Sequence, residues 1–325
     1  MDDGNAGREK DKKDAKDEKD AKDAEKGGFA PDALAGRFEA HRGHLKAVAY
    51  RMLGSQTEAD DAVQETWLRL SRTEDAAAIG NLGGWLTTVT GRICLDLLRS
   101  RTARREQPID ETFVPDPVVR PVAPTDPEQE ALRADSVGVA LLVVLEYLEP
   151  DERLTFVLHD MFAVPFDDIA PVVERSPAAT RQLASRARRR VRDAAPSSEP
   201  DLGRQKQVLD AFMAAARGGD FEALVAVLHP EVTLRADAGA LVRGAAGSKA
   251  LRGARTVAES ALLFARHTAA ARQVMVNDSL GLISVVDGIP RSVMAVTITD
   301  GRITGMYILA DPERLDRLEV PGPGG

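Results

Sequence analysis

The chain has 325 residues and a mass of 35.0 kDa, enough for two or three domains at about 100–200 residues each. Its 51 acids outweigh 43 bases for a net charge of −8, which as a single number argues against nucleic acid; the distribution of charge along the chain overrides that sum. One cysteine, Cys94, excludes a disulfide framework and a cysteine zinc site, and the longest apolar run, Val137–Leu145, has nine residues where a membrane span needs about 20.

Residues 1–28 hold ten acids, eight bases and almost nothing to bury, so a disordered charged tail is expected. No apolar signal core begins the chain, and a cytoplasmic location is expected. Residues 29–105 read as helical. Phe38, Leu45, Val48, Ala49 and Met52 recur at helical spacing, as do Ala62, Val63, Trp67, Leu68 and Leu70, and then Leu86, Val89, Ile93, Leu97 and Leu98. His41 and His44 share a face of the first stretch and read as a solvated pair; no metal and no cofactor is expected. Residues 106–135 form an acidic, proline-rich linker with eight acids against two bases, and its prolines exclude regular structure.

Residues 136–193 are helical again. Glu152–Met161 is amphipathic, Ala163-Val164-Pro165 breaks it, and Phe166–Val173 is a short helix with Asp167 and Asp168 in its first turn. Ser176-Pro177 then opens another helix, with serine as cap and proline at the first position. Thr180, Leu183, Ala187 and Val191 form its apolar stripe. Two helices joined by a short turn, the second basic, make a helix-turn-helix. Residues 175–192 carry seven arginines and no acid, all read as unpaired and available to DNA. Arg and Gln near the helix start suit base edges; later arginines suit phosphates.

A linker at 194–204 leads to a different pattern. Helical stretches at Gln205–Arg217, Phe221–Leu228 and Gly253–Ala265 precede β-rich runs at Gln273–Val276, Gly281–Val286, Arg291–Thr299 and Ile303–Leu309. Asp287-Gly288 and Asp300-Gly301 are hairpin signals. Residues 205–318 therefore read as a separate α+β domain, with a frayed tail at 319–325. The fold class is multidomain: two all-α parts followed by an α+β domain.

Two further clusters stand out. Arg92, Arg99, Arg101, Arg104 and Arg105 oppose only Asp96, and Asp60, Asp61, Gln64 and Glu65 form an acidic patch beside Trp67 and Leu68. Together "ADDAVQETWLRL", "WLTTVTGRICLDLLRSRTARRE" and "PFDDIAPVVERSPAATRQLASRARRRV" resemble regions 2 and 4 of extracytoplasmic-function sigma factors, in order and spacing, over residues 30–193. The appended domain narrows the resemblance to the SigJ-like subgroup, whose tail is similar to SnoaL-like domains of the NTF2-like superfamily, a cone of helices on a sheet.

The resemblance implies partners and roles. Core RNA polymerase would dock at Asp61, Gln64, Glu65 and Leu68. Promoter DNA would meet Asn81 at an unstacked minus-ten base, with Arg92, Arg99, Arg101 and Arg104 on the melted strand and nearby backbone. Ser176, Arg181, Gln182, Ser185 and Arg186 would read the minus-thirty-five element. The subgroup's linker signature Trp-Leu-Pro-Glu-Pro becomes Phe113-Val114-Pro115-Asp116-Pro117. Its Asp-Gly-Gly-Gly becomes Asp237-Ala238-Gly239-Ala240, and its Asn-Pro-Asp-Lys-Leu becomes Asp311-Pro312-Glu313-Arg314-Leu315. A regulatory interface between the tail domain and the sigma regions is expected at Phe113, Pro115, Pro117, Asp311 and Leu315.

The tail domain's candidate acid–base groups, Asp237, His229, Tyr307 and His267, form no spaced pair, so no enzyme activity is expected, although a small ligand could fit a cone-shaped pocket. Two alternatives have other natures. One is an NTF2-like small-molecule enzyme or ligand sensor tethered to DNA by the helix-turn-helix. The other is an ordinary helix-turn-helix repressor, which leaves the acidic patch and the Trp85–Arg105 cluster unexplained.

Overall fold

The computed structural model describes residues 31–74, 76–103, 111–122, 137–194, 200–239, 242, 244, 247–264 and 271–320. The tail expected at 1–28, most of the acidic linker, residues 195–199 of the 194–204 linker, Arg104, Arg105, Ala240, His267 and residues 321–325 lie outside the described residues.

Three helices make the first unit: α1 (Pro31–Leu53), α2 (Gln56–Ser71) and α3 (Leu82–Ala103). Phe38, Leu45, Val48, Ala49 and Met52 are buried along one side of α1, as their spacing requires. The second unit holds α4 (Val139–Glu146), α5 (Pro150–Phe156), which continues as a π-turn over Val157–Met161, α6 (Phe166–Ile169) and α7 (Pro177–Ala194). Ser176 caps α7 through its Oγ, which accepts from Ala179 N at 3.2 Å.

The two helical units share one core. Val48, Met52, Ile93, Leu95 and Leu98 from the first pack in the same cluster as Leu142, Leu145, Leu154, Leu158 and Leu183 from the second. Helices α3 and α5 approach closely at Gly91, where a Cβ would lie 3.1 Å from the methyl carbons of Leu154 and Leu158. Only a residue without a side chain fits there unchanged.

The third unit begins with α8 (Leu202–Gly218) and α9 (Phe221–Val227), and α10 (Ala254–Leu263) follows two strands. Its strands are β2 (Leu228–Asp237), β3 (Lys249–Arg252), β4 (Ala271–Val276), β5 (Ser279–Val286), β6 (Ile289–Thr299) and β7 (Arg302–Leu309), and α11 (Pro312–Leu315) closes it. Together with β1 (Val119–Arg120) these form, among the described residues, a seven-stranded sheet in the order β1-β4-β5-β6-β7-β2-β3. β2 and β7 are parallel; every other neighbouring pair is antiparallel. Positive φ at Asp287 and Gly288, and at Asp300 and Gly301, forms the hairpins their sequences signal. Leu209, Phe212, Leu282, Met294 and Val296 fill the space between helices and sheet.

The outermost strand, β1 (Val119–Arg120), comes from the acidic linker. This corrects the expectation that prolines exclude regular structure there. Val119 pairs with Val276 and Arg120 with Met275 at the sheet edge, a position that neighbouring prolines permit. The sheet is thus covered on both faces. Its second face packs Ile283, Val293, Ala295 and Tyr307 against Val114 and Val119 of the linker, Val139 and Val143 of α4, and Leu315 of α11. Helix α4 therefore belongs to two cores, with Leu142 and Leu145 in the helical one and Val139 and Val143 on the sheet. Among the described residues no helix is long and apolar enough to cross a membrane, and no His/Cys/Asp/Glu group could hold a metal ion.

Candidate nucleic-acid and polymerase interfaces, and the joint between domains

Asp61, Gln64, Glu65 and Leu68 lie at intervals of three and four along α2 and so share one side of that helix. Asp61 and Gln64 are exposed, Glu65 and Leu68 half-buried. Glu65 holds Arg69 at 3.1 Å, and neighbouring Asp60 holds Lys46 at 2.8 Å. The patch is an exposed anionic face with an apolar element, Leu68, at one end.

Asn81 sits at the start of α3, where its Oδ1 accepts from Gly84 N at 3.0 Å. It is exposed and Trp85 is partly buried against Phe38, Leu82 and Leu86. Arg92 is exposed on α3. Arg101 is paired with Glu58, and Arg99 donates from Nε (3.2 Å) and Nη2 (2.9 Å) to Asp151 Oδ1 in the second helical unit.

Ser176, Arg181, Gln182, Ser185 and Arg186 are all exposed along α7, while Thr180, Leu183, Ala184 and Ala187 are buried. The arginines of this segment are not all unpaired, which corrects the sequence reading. Glu152, its side chain 5% exposed, holds Arg186 Nε and Arg190 Nη1 at 3.0 Å each. Arg188 meets Asp160 at 2.6 Å and Arg175 meets Asp151 at 3.7 Å. Carboxylates from a separate helical segment close α7 onto its neighbour, a contact that a charge count along one helix does not register. Arg181 lies 5.5 Å from the Phe166 ring centroid and enters none of these ion pairs.

The third constellation surrounds Arg314. Its Nε donates to Asp116 Oδ1 at 2.7 Å, its Nη1 to Asp237 Oδ2 at 2.7 Å and its Nη2 to Val114 O at 2.6 Å, with the Phe113 ring 5.2 Å away. Asp116, 6% exposed, also accepts from Gln56 N at 2.9 Å and so caps α2, whose own Ser55 side chain makes no capping bond. Pro117 O accepts from Gln56 Nε2 at 3.2 Å, and Pro115 is buried nearby against Gly54. One guanidinium thus joins α11, β2 and the linker, and through Asp116 it reaches the first helix unit.

Asp311 caps α11, accepting from Glu313 N at 3.0 Å, and lies against Gly239. Gly239 has φ +76, and a Cβ there would fall 2.7 Å from the Asp311 carboxyl carbon, so this glycine of the altered Asp-Gly-Gly-Gly segment meets both a positive φ and a close approach. Leu315 is buried under the sheet. Phe113, Pro115, Pro117, Asp311 and Leu315 therefore fall in one region, on the two sides of Arg314.

A second joint lies at Asn277. It exchanges bonds with Val118 of the linker (N→O 2.8 Å; Oδ1 accepting from N at 2.9 Å) and donates from Nδ2 to Val137 O at 2.7 Å and to Tyr50 Oη at 3.3 Å. Burial pushes the Tyr50 hydroxyl far up, so it serves as a neutral donor to Asp116 O. Asp116 and Arg314 fall inside the two segments expected to meet, although neither is named there as a contact residue; Asn277 and Tyr50 lie outside both. One signal was available: the motif's Glu and Lys positions carry Asp116 and Arg314, opposite charges in segments 198 residues apart. His229 is a surface group accepting from Glu231 N, and Tyr307 is buried under the sheet; no acid–base pair joins them.

Sequence profiles for Sigma-70 region 2 and for Sigma-70, region 4, match residues 37–104 and 138–191. The chain is 40% identical over 292 residues to the ECF RNA polymerase sigma factor SigJ of Mycobacterium tuberculosis H37Rv, across 85% of this chain and 91% of that one. It is 34% identical over 305 residues to the probable ECF RNA polymerase sigma factor SigI of the same species, across 90% and 99%. The crystal structure of Mycobacterium tuberculosis SigJ superposes with a TM-score of 0.68 at 37% identity, covering 88% of this chain and 100% of that one. With both DNA-reading regions present and a sheet domain appended, the chain belongs to the extracytoplasmic-function RNA polymerase sigma factors.

Proposed function

We propose that this sigma factor acts in the cytoplasm, performs no chemistry of its own and rests in a closed form held by its C-terminal domain. Asp61, Gln64, Glu65 and Leu68 would form the surface that docks on core polymerase. Asn81 and Arg92 would meet the melted minus-ten strand, joined by Arg99, Arg101 and Arg104. Ser176, Arg181, Gln182, Ser185 and Arg186 would read the minus-thirty-five duplex. The contacts around Phe113, Pro115, Pro117, Asp311 and Leu315 would be the regulatory joint.

The observation that carries the closed form is the core shared by regions 2 and 4. The two promoter elements lie about 25 base pairs apart, or about 85 Å at ~3.4 Å per step along the duplex. Arg99 of region 2 and Arg175 of region 4 meet one carboxylate within 4 Å. Side chains that share an ion cannot also sit on elements so far apart. Promoter reading then requires the shared core to open, and the joints at Arg314 and Asn277 oppose that opening.

The test is run-off transcription with core polymerase, using the full chain and a version truncated after Ser198 at equal concentration. Initiation by the chain with core polymerase, and a several-fold difference between the two forms, is the expected result. No initiation by either form contradicts the sigma assignment of the site residues. Equal activity and equal promoter affinity contradict regulation by the C-terminal domain.

A further inference from the structure

Between the end of α3 and the start of α5 a crevice of about 450 Å³ is lined by Arg99, Glu149, Asp151, Arg175 and Arg186 among others. Two adjacent carboxylates collect the arginines there, and they do different things. Glu152 is buried and holds Arg186 and Arg190, so its pairs stay within region 4. Asp151, its side chain 18% exposed, holds Arg99 from region 2 by two nitrogens on Oδ1 and Arg175 from the turn before the recognition helix on Oδ2. It is one anion shared by cations of both DNA-reading regions.

We propose that Asp151 is an internal stand-in for a DNA phosphate: it occupies Arg99 and Arg175 in the resting chain, and the phosphodiester backbone of promoter DNA displaces it. Three features argue for this. One Asp151 oxygen takes two N–H donors from Arg99 and the other faces Arg175, so two guanidinium groups converge on one anion with charge-assisted contacts that phosphate oxygens also accept. Both arginines remain substantially exposed, 38% and 56%, so DNA can reach them without unfolding either region. Asp151 and Glu146 are equally shielded, at 18% exposed, so the arginines set the contrast: Arg99 and Arg175 face solvent, where pairing is weaker and screened by salt and a polyanion can compete, whereas Arg153, 2% exposed, would resist. The inference rests on the closed form proposed above.

The experiment is fluorescence anisotropy of a promoter duplex, without polymerase, at about 0.15 M salt. Asp151→Asn keeps the shape and the backbone carbonyl that accepts from Thr155 Oγ1. It is expected to bind about two- to tenfold tighter than the parent. The gain is expected to vanish when Arg99→Ala and Arg175→Ala are added. Glu149→Gln removes the same charge from the same crevice wall and is expected to give no comparable gain. Affinity of Asp151→Asn equal to or below that of the parent, with an unchanged circular dichroism spectrum, overturns the proposal. So does a gain that survives loss of both arginines, or an equal gain from Glu149→Gln. If Asp151→Asn does not fold, Asp151→Ser and the parent's loss of affinity on Arg99→Ala carry the same comparison. The latch is read in DNA affinity and the sigma assignment in run-off transcription, so each can fail while the other stands.

Discussion

Replacing Arg314 with alanine removes one side chain and strips three acceptors at once. Asp116 and Asp237 lose a charged donor 2.7 Å away, and Val114 O loses one at 2.6 Å. Breaking a buried pair by deleting one partner costs about 3–5 kcal/mol. Asp116 keeps Gln56 N and Asp237 keeps Gly239 N, and the Arg314 side chain is 19% exposed, so the expected cost is nearer about 2–3 kcal/mol. Arg314→Lys keeps the charge but cannot reach three acceptors from one ammonium, and an intermediate loss is expected. The assay is denaturant unfolding followed by two probes. Trp67 and Trp85 both lie in region 2, so their fluorescence reports that unit, while circular dichroism reports the whole chain. The parent is expected to unfold in one transition with both probes coincident. Arg314→Ala is expected to separate them, because the sheet domain no longer supports the cap on α2. Coincident transitions with a loss below about 0.5 kcal/mol would refute the reasoning.

Other outcomes follow from single contacts. Arg181→Ala is expected to weaken binding to a minus-thirty-five duplex by about 1–3 kcal/mol if the side chain reads a base, measured by anisotropy. Charge reversal at Asp61 and Glu65 together is expected to abolish capture by core polymerase in pull-down while duplex binding by the helix-turn-helix persists. Gly91→Val is expected to cost about 1–3 kcal/mol in thermal unfolding because it drives into Leu154 and Leu158, whereas Gly43→Ala, with nothing within 4 Å of the added carbon, is expected to stabilise α1 slightly. Burial pushes the Cys94 thiol up to about 12, so the native chain is expected to react with a disulfide reagent at pH 8 at least about a hundredfold more slowly than the unfolded chain. The sign for stability follows: the raised thiol value supports the fold fully below the ordinary thiol range, and that support fades as the pH climbs toward 12.

Much of the fold was legible because local signals and packing agree. The stripe from Phe38 to Met52 is the buried side of α1, and the Asp-Gly pairs at 287–288 and 300–301 turn where their positive φ is cheap. The strands β2 and β3 were not foreseen. β2 begins directly where α9 ends, with His229 and Pro230 masking its start, and β3 has four residues and alternates only weakly. The linker was misread for a different reason. Proline density measures what a segment cannot do alone, while Val114 and Val119 gain their order from a sheet face far along the chain. The run Val137–Leu145 carried a clue beyond its length: a helix apolar on every side must be covered on every side, and α4 is, by two cores. Of the candidate DNA residues, Arg92 of α3 and Arg181, Gln182, Ser185 and Arg186 of α7 are exposed, while Arg99 and Arg101 are half-buried in ion pairs. Their ion partners Asp151 and Glu152 were invisible, because pairing across helices leaves no spacing to read.

The closed resting form is tested most directly by a distance. One spin or fluorescent label on Gly43→Cys in α1 and another on Asp193→Cys near the end of α7, both exposed positions, report the separation of regions 2 and 4 in the free chain and in the complex with core polymerase and promoter. A single short distance in the free chain that lengthens to about 80 Å or more on the promoter is expected. A free chain already at the long distance, or a bound chain still at the short one, would contradict a closed form that must open to read DNA.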